Sequence, residues 1–295
     1  MSSQQSSTAT ATPSEPTPLI QTRVTERLAN FPWWALIIAL LAVFLIYSFM
    51  TDATYQEIFA FIVVGIRLTI QVTLIAFAIS LIVGLITAFG LMSDNVIAKN
   101  LANLYVQIVR GIPTLVLIFY TALVIVPAAI NLLNAFGNWM VSMGWLSAEN
   151  VLSSMDSRDV DFIVRGIVAL AINYGAFSAE VFRAGIQSIG KGQLEASKAL
   201  GLSWGQTMRY VVLPQALRRI MPPLGNDFIS MLKESSLVSV LGVNEITQLG
   251  RKYSASSFIY PQTYNTVAFL YLSITLILSM GVKFMERRMS IAEES

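Results

Sequence analysis

The sequence predicts an all-α membrane protein with about six transmembrane helices. Of its 295 residues, 55% are hydrophobic and only 12% are charged, and the mean hydropathy of +0.65 is well above that of soluble domains. Crossing about 30 Å of hydrocarbon takes roughly 20 helical residues. Six apolar stretches approach or exceed this length: 33–50, 61–91, 105–128, 162–184, 222–243 and 264–285.

The basic residues predict the orientation of these spans. Ten lysines and arginines lie in the N-terminal tail, the 92–104 and 186–219 loops and the C-terminus, whereas the alternate loops hold three. The positive-inside rule therefore places both termini and the 186–219 loop in the cytoplasm.

Composition divides the chain into regions. Residues 1–30 begin with a polar, proline-containing stretch that predicts a disordered cytoplasmic tail. An uncleaved N-terminal span and an outer loop are expected in 31–60, the main transmembrane domain in 61–288, and a short tail in 289–295. Within the domain, 131–161 is expected to form an outer loop.

Part of that outer loop has helical spacing of its apolar residues. This spacing predicts an amphipathic helix in the outer interface from Leu132, Phe136, Trp139, Met140 and Met143. The acidic remainder of the loop is interpreted as solvated chain, with docking of an external partner as the alternative.

Several function classes are disfavoured by what the chain lacks. It contains no cysteine and no histidine, so disulfides, thiolate chemistry and the commonest metal ligand are excluded. Its net charge of +2 gives no indication of nucleic-acid binding. We therefore expect neither a catalytic residue nor a metal site.

The second span carries a small residue every fourth position. Ala76, Ser80, Gly84 and Ala88 form this stripe, which would allow another helix to approach closely. We interpret it as a helix-packing seam.

Two other spans are too polar to face lipid. Asn173, Phe177 and Glu180 fall on one helical face, and Glu180 could either pair with Arg183 near the cytoplasmic boundary or line a transport pathway. The 222–243 span carries charged residues, and we expect it to line a water-filled path or to contact partner helices. Its charges are Asp227, Lys233 and Glu234.

The stretch GIQSIGKG, residues 185–192, matches a phosphate-binding loop except at its last position. A true phosphate loop ends in a serine or threonine that ligates magnesium, and it follows a β-strand. Here Gly192 replaces the hydroxyl and a predicted transmembrane helix replaces the strand. We therefore expect any ATP to bind to a partner chain.

The polar stretch QLEASKALGLSWGQTMRYVVLP, residues 193–214, predicts two short helices joined by a tight turn. Gly201 is placed to end the first helix, and Ser203 with Gln206 has the spacing of a capping box that would start the second. An apolar stripe is then expected on the second helix, formed by Trp204, Met208, Val211 and Val212.

The spacing of this stretch resembles the EAA loop of ABC-importer permeases, whose pattern is E-A-A-x3-G-x9-I-x-L-P. Serine replaces the second alanine and valine replaces the isoleucine. The resemblance implies a coupling role for Glu195, Ala196, Ser197, Gly201, Val211, Leu213 and Pro214. We call residues 190–214 the EAA segment.

Three further stretches resemble the polar amino acid permeases, the membrane subunits of histidine, glutamine, glutamate and arginine importers. They are VRGIPTLVLIFY at 109–120, NYGAFSAEVFRAGI at 173–186 and MLKESSLVSVLGV at 231–243. The resemblance implies a type I importer fold with a five-helix core, to which this chain adds an N-terminal span. It also implies a location in the prokaryotic inner membrane.

The same resemblance implies partners and a mechanism. The partners would be ATPase subunits that bind ATP and magnesium, a second permease subunit, identical or paralogous, and an external solute-binding protein. This chain would need no cofactor. A polar amino acid needs a counter-charge for its amine and donors for its carboxylate, and the candidate pathway residues are Arg110, Asn173, Glu180, Lys233 and Glu234.

Two other classes of function remain as alternatives. A self-contained channel or ion-coupled transporter could use Asp227, Lys233 and Glu234 as a charge relay without a cytoplasmic partner, although no inverted repeat is visible. A membrane enzyme is the other alternative, and the sequence offers it no clustered catalytic groups.

Overall fold

The computed structural model describes residues 33–147 and 150–291, and the regular elements in this part of the chain are helices. The first half contains α1 (Trp33–Thr51), α2 (Ala53–Val63), α3 (Gly65–Met92), α4 (Val96–Gly111), α5 (Thr114–Tyr120) and α6 (Val126–Ser142). The second half contains α7 (Val151–Ser154), α8 (Phe162–Gln187), α9 (Lys191–Ala199), α10 (Trp204–Thr207), α11 (Leu213–Glu234), α12 (Ile246–Ser257) and α13 (Tyr260–Ile291). The predicted all-α class is confirmed.

The chain divides into two compact units after Tyr47. In the first unit the described residues are 33–47, an apolar helical stretch within α1. The elements from α2 onward belong to the second unit, residues 48–295. The predicted tail 1–30 lies outside the described residues, as do the last four residues of the predicted 289–295 tail.

The outer loop expected within 31–60 is absent, since a single residue separates α1 from α2. That residue, Asp52, is the N-cap of α2, and its carboxylate accepts a hydrogen bond of 2.8 Å from the backbone N–H of Thr54. A side chain that satisfies a free N–H group favours a new helix start at this position. The expectation of a loop up to residue 60 was therefore wrong.

The most extensive helix pairing in the second unit is that of α3 with α8. The predicted small-residue stripe forms the seam, because Ala76, Ser80, Gly84 and Ala88 are all buried. At Gly84 the helices are so close that an added Cβ would lie 2.6 Å from the Cβ of Ser178. The packing interpretation of the stripe is confirmed.

The main core lies where α3, α5, α8 and α11 meet the short helical turn Ser235–Leu241. Aliphatic and small side chains fill it with little exposed surface. Its members include Val72, Ala76, Ile118, Leu170, Met231 and Val238. Helices α8 and α11, which carry four of the five candidate pathway residues, are thus held by one apolar cluster.

The predicted span 105–128 is interrupted in the structure. Ile112 has extended backbone angles and lies directly before Pro113, which separates α4 from α5. Proline disfavours a helical conformation in the preceding residue. The helical run restarts at Thr114 and continues through a π-helical turn, Thr121–Ile125, to Ser142.

The predicted outer loop 131–161 therefore begins later than expected. Residues 131–142 form the last turns of α6, which ends shortly before Gly144, a residue with a positive φ of 74°. The helical spacing from Leu132 to Met140 was correct, but the segment continues a long helix and is not a separate helix. Gly137 lies within this helix without ending it, and its backbone does not take the positive φ seen at Gly144.

Within the described residues, four helical runs are long and apolar enough to cross a membrane. They are Ala53–Met92, Thr114–Ser142, Phe162–Gln187 and Tyr260–Arg288, with Leu36–Thr51 as a shorter apolar helix. Residues 222–234 of the predicted 222–243 span belong to α11, which starts earlier, at Leu213, and ends at Glu234. The count of six spans stays a prediction.

The α3–α8 seam predicts opposite effects of the same substitution at two helical glycines. Gly84→Ala should lower the free energy of unfolding by about 1–3 kcal/mol, because the new methyl group overpacks the seam. Gly281→Ala in α13 is the matched control, since an added Cβ there meets no atom within 4 Å. It should be neutral or stabilise by up to about 1 kcal/mol. Thermal unfolding of the purified protein measures both, and equal stability of the two variants would contradict the seam.

Candidate functional site

The EAA segment folds as two short helices around a glycine turn. Gly201 has a positive φ of 75° and follows α9, its N–H donates to the carbonyl of Lys198 at 2.9 Å, and the N–H of Leu202 donates to Ser197 at 3.1 Å. These two bonds form a Schellman motif, in which glycine takes the left-handed position without steric cost. The predicted role of Gly201 in ending the helix is confirmed.

The next helix starts with the predicted capping box. The N–H of Ser203 donates to the side-chain oxygen of Gln206 at 2.8 Å, and the N–H of Gln206 donates to the hydroxyl of Ser203. Two N–H groups at the helix start are thereby satisfied. The turn between α9 and α10 is thus fixed on both sides.

A pair of buried hydroxyls joins the two short helices. Ser197 is 2% exposed, and its Oγ lies 3.0 Å from Oγ1 of the buried Thr207. The serine that replaces the second alanine of the EAA pattern therefore makes a specific contact. The sequence alone does not predict this contact, because the pairing of residues 197 and 207 follows only from the fold.

The other coupling candidates lie mainly on the outer surface of the EAA segment. Glu195, Ala196, Gly201, Leu213 and Pro214 are exposed, and Val211 is half-buried. These residues are available for contact with another protein.

The expected stripe on the second helix is split. Trp204 is 76% exposed, whereas Val212 is 2% exposed. Residues 208–212 form a π-helical turn, which shifts the helical register away from 3.6 residues per turn. Trp204 and Val212 therefore lie on different faces.

Beneath the EAA segment, an apolar cluster attaches it to the membrane helices. Its buried members are Ile189, Val212, Ala216, Ile220 and Leu224, and side chains of α3 and α8 pack against them. A Cβ at Gly185 would overlap the side chain of Ile220. Gly185 therefore serves close helix packing, and residues 185–187 belong to α8 rather than to a phosphate loop.

The ionic partner of Glu180 is Arg110, seventy residues earlier in the chain. The guanidinium of Arg110 also lies 5.4 Å from the ring centre of Phe177, a distance typical of a cation–π contact. The alternative pairing of Glu180 with Arg183 was wrong, because Arg110, at the end of α4, reaches the α8 face that carries both Phe177 and Glu180.

A cavity of about 210 Å³ lies between α8 and α11. It is lined by Tyr174, Phe177, Asp227, Ser230 and Glu234. Two of these five side chains are carboxylic acids and none is basic, so the cavity is acidic. Its chemistry suits a positively charged group.

Asn173 stands beside this cavity. Its side-chain amide donates to Glu234 at 3.4 Å and to the hydroxyl of Thr114 at 3.3 Å. Oδ2 of Asp227 is buried and makes no hydrogen bond to the described part of the chain. A ligand donor entering the cavity would satisfy a carboxylate oxygen that now has no partner.

The structure thus assembles four of the five predicted pathway residues into two neighbouring groups. Asn173 and Glu234 meet at the cavity, and Arg110 and Glu180 pair near Phe177. Lys233 is exposed and does not line the cavity. Tyr174 and Ser230 were missed. Asp227 was predicted as a charge of a pathway-lining span and of the alternative charge relay, but not among the five pathway residues. The spacing of Asp227 and Glu234, seven residues apart on one helix, could have placed them on one face.

A second, more open cavity of about 420 Å³ continues from Glu180 towards the EAA segment. Its lining includes Ser188 and Arg219, and the guanidinium of Arg219 donates to the backbone oxygen of Ser188 at 2.6 Å. This cavity therefore reaches the base of the EAA segment, where Ser188 and Arg219 supply polar groups.

Two known proteins that are similar to this chain are both named as permeases of amino acid transport systems. The chain is 35% identical over 227 residues to the glutamine transport system permease protein GlnP of Escherichia coli, covering 77% of this chain and 92% of that protein. It is 35% identical over 262 residues to the arginine transport system permease protein ArgU of Corynebacterium glutamicum, covering 86% of this chain and 78% of that one.

Solved structures that match this chain are also those of ABC transporters. A crystal structure of an amino acid ABC transporter with histidines matches with a TM-score of 0.64 and 32% identity, covering 81% of this chain and 98% of that chain. The MetNI methionine ABC transporter matches with a TM-score of 0.58 and 19% identity, which supports the fold alone. The family described as binding-protein-dependent transport system inner membrane component matches residues 80–291. The chain belongs to this family of ABC-importer permeases.

Proposed function

We propose that this chain is the permease subunit of an ATP-driven importer of polar amino acids, and that its EAA segment docks onto a separate ATPase. The observation that carries the proposal is the EAA segment itself, whose Schellman turn and capping box hold an exposed surface in one conformation. The relatives named above act on glutamine and arginine. ATP and magnesium would bind in the partner ATPase.

Membership of the family supports a proposal for the rest of the assembly. A second permease subunit, identical or paralogous, would complete the pathway, and a solute-binding protein would deliver the amino acid from outside. The membrane is the prokaryotic inner membrane, with both termini in the cytoplasm.

Helix α11 supports a mechanism for coupling. It begins within the EAA segment, directly after the π-helical turn Met208–Val212, and it carries Asp227 and Glu234 into the cavity. A displacement of the EAA segment by ATPase closure would therefore move both carboxylates relative to α8. In alternating access of this kind, one structural element has two conformations, and events at two separate sites shift the balance between them.

The acidic cavity supports a role in substrate passage. We propose that it receives a positively charged group of the amino acid, with the unpartnered Oδ2 of Asp227 as one acceptor and Glu234 as the other. The Arg110–Glu180 pair lies next to the cavity through Phe177 and would have to rearrange as the amino acid passes.

A self-contained ion-coupled transporter is the alternative function. Its charge relay would need Asp227, Lys233 and Glu234 to act together, but Lys233 is exposed and stands apart from the cavity that the two carboxylates share. The importer proposal requires no such relay.

Gly201→Val should reduce both capture of the ATPase and amino acid uptake. A left-handed backbone costs a residue with a Cβ about 1–2 kcal/mol, so valine would distort the turn. Gly144→Val is the matched control, because Gly144 has nearly the same φ, 74°, and also lies in open space but is outside the EAA segment. Co-purification of the co-expressed ATPase with the tagged permease measures docking. Undiminished capture and uptake by the Gly201 variant would remove the coupling role.

Asp227→Asn should lower the uptake of L-arginine roughly tenfold or more, since it removes a charged hydrogen-bond acceptor from a buried site. Asn226→Ala, on the exposed side of the same helix, is the control and should transport normally. L-glutamine is measured in parallel with L-arginine. If uptake of both amino acids falls, the cavity binds the α-ammonium group that they share. If only the uptake of L-arginine falls, the cavity binds the arginine side chain. Normal uptake of both would refute the acidic-cavity role.

A further inference from the structure

The helical run Thr114–Ser142 contains a carbonyl oxygen that its own backbone does not satisfy. In the π-helical turn Thr121–Ile125, the N–H of Val126 donates to Thr121. In an α-helix this N–H would have bonded to Ala122. In continued π register the donor to Ala122 would be residue 127, which is Pro127 and has no N–H. Ala122 is therefore left without an intrahelical donor.

Arg165 of α8 supplies the missing donor. Its Nη1 donates to the oxygen of Ala122 at 2.8 Å, its Nε donates to the oxygen of Val160 at 3.0 Å, and its Nη2 donates to the oxygen of Ser157. The side chain is 7% exposed, and its guanidinium lies 4.9 Å from the ring centre of Phe162. A planar, permanently charged group with several fixed donors thus joins three backbone carbonyls.

These bonds connect two segments that are otherwise distant in sequence. Residues 157–160 belong to the connection that precedes α8, and we call them the outer segment, after their predicted side of the membrane. The π-helical turn lies in the same helical run as Thr114, whose hydroxyl accepts a hydrogen bond from Asn173 beside the acidic cavity. Arg165 therefore stands between the outer segment and the helix that borders the cavity.

We propose that Arg165 is a positioning residue. When the outer segment moves, Arg165 moves the helical run Thr114–Ser142 with it. Contact of the solute-binding protein with that face would displace the outer segment, and the guanidinium would transmit the displacement to the π-helical turn. This inference rests on the proposed importer function. It adds a contact through which the loaded binding protein acts on the cavity.

Substitution of Pro127 tests this inference, because it separates a positioning role of Arg165 from a purely stabilising one. Pro127→Ala restores a backbone N–H that competes with Arg165 for the oxygen of Ala122 and so weakens the bond between them. Arg165→Met removes all three bonds and should lower the unfolding temperature. The double variant should regain part of that stability, because Ala122 again has a donor, but it should not regain the connection to the outer segment.

The experiment uses the complete complex with its ATPase in lipid nanodiscs, with the binding protein and either L-arginine or L-glutamine as the probe. The ratio of stimulated to basal ATPase activity is the functional measurement, and the unfolding temperature is measured on the same samples. We expect Pro127→Ala, Arg165→Met and the double variant to lose about fivefold or more of the stimulation ratio. Arg251→Met, at an exposed arginine of α12, should keep the wild-type ratio.

Recovery of both stability and stimulation in the double variant would show that Arg165 is merely structural, and this would overturn the inference. Full stimulation of Pro127→Ala would also overturn it, and that variant does not depend on the folding of Arg165→Met. A wild-type complex that neither amino acid stimulates would instead count against the proposed function, and the inference would fall with it.

Discussion

The close approach of α3 and α8 is the packing interaction on which the rest of the membrane domain depends. A bilayer gives no hydrophobic drive for helices to associate, so association relies on close van der Waals contact and hydrogen bonds. Gly84 against Ser178 provides that contact at the centre of the seam. With one face of α8 held in the seam, the face that carries Phe177 and Glu180 is directed towards α11 and Arg110. The position of the cavity thus follows from a stripe of small residues that do not line it.

One departure from the regular α-helix leaves a backbone oxygen whose partner comes from another helix. The π-helical turn at Thr121–Ile125 frees a carbonyl that Arg165 satisfies, and a second π-helical turn links the EAA segment to α11. Such irregular backbone is tolerated within a membrane domain only where protein or water satisfies the freed groups. One π-helical turn lies in the helical run that contains Thr114, and the other lies in the EAA segment; π-helical turns often occur at functional sites.

The sequence predicted those features that depend on neighbouring residues. The Gly201 turn, the Ser203–Gln206 capping box and the small-residue stripe each follow from spacing within one helix or turn. The interruption at Pro113 was equally local, but the apolar residues on both sides made 105–128 resemble one continuous span. The helix from Thr114 to Ser142 was shortened in the prediction because its last turns contain several polar asparagines.

Long-range pairings were beyond sequence reasoning. Each of three pairings joins residues whose proximity depends on how the helices pack: Arg110 with Glu180, Ser197 with Thr207, and Arg165 with Ala122.

The acidic cavity between α8 and α11 is another product of this helix packing. Asp227 and Glu234 share it without a basic neighbour in its lining, so an empty cavity holds two carboxylates whose ionised forms repel each other. A cation between them would offset that repulsion and favour the α11 position that brings both acids to it. Because α11 also continues into the EAA segment, substrate and ATPase would bias the same helix, and linkage requires each to alter the affinity for the other by the same factor.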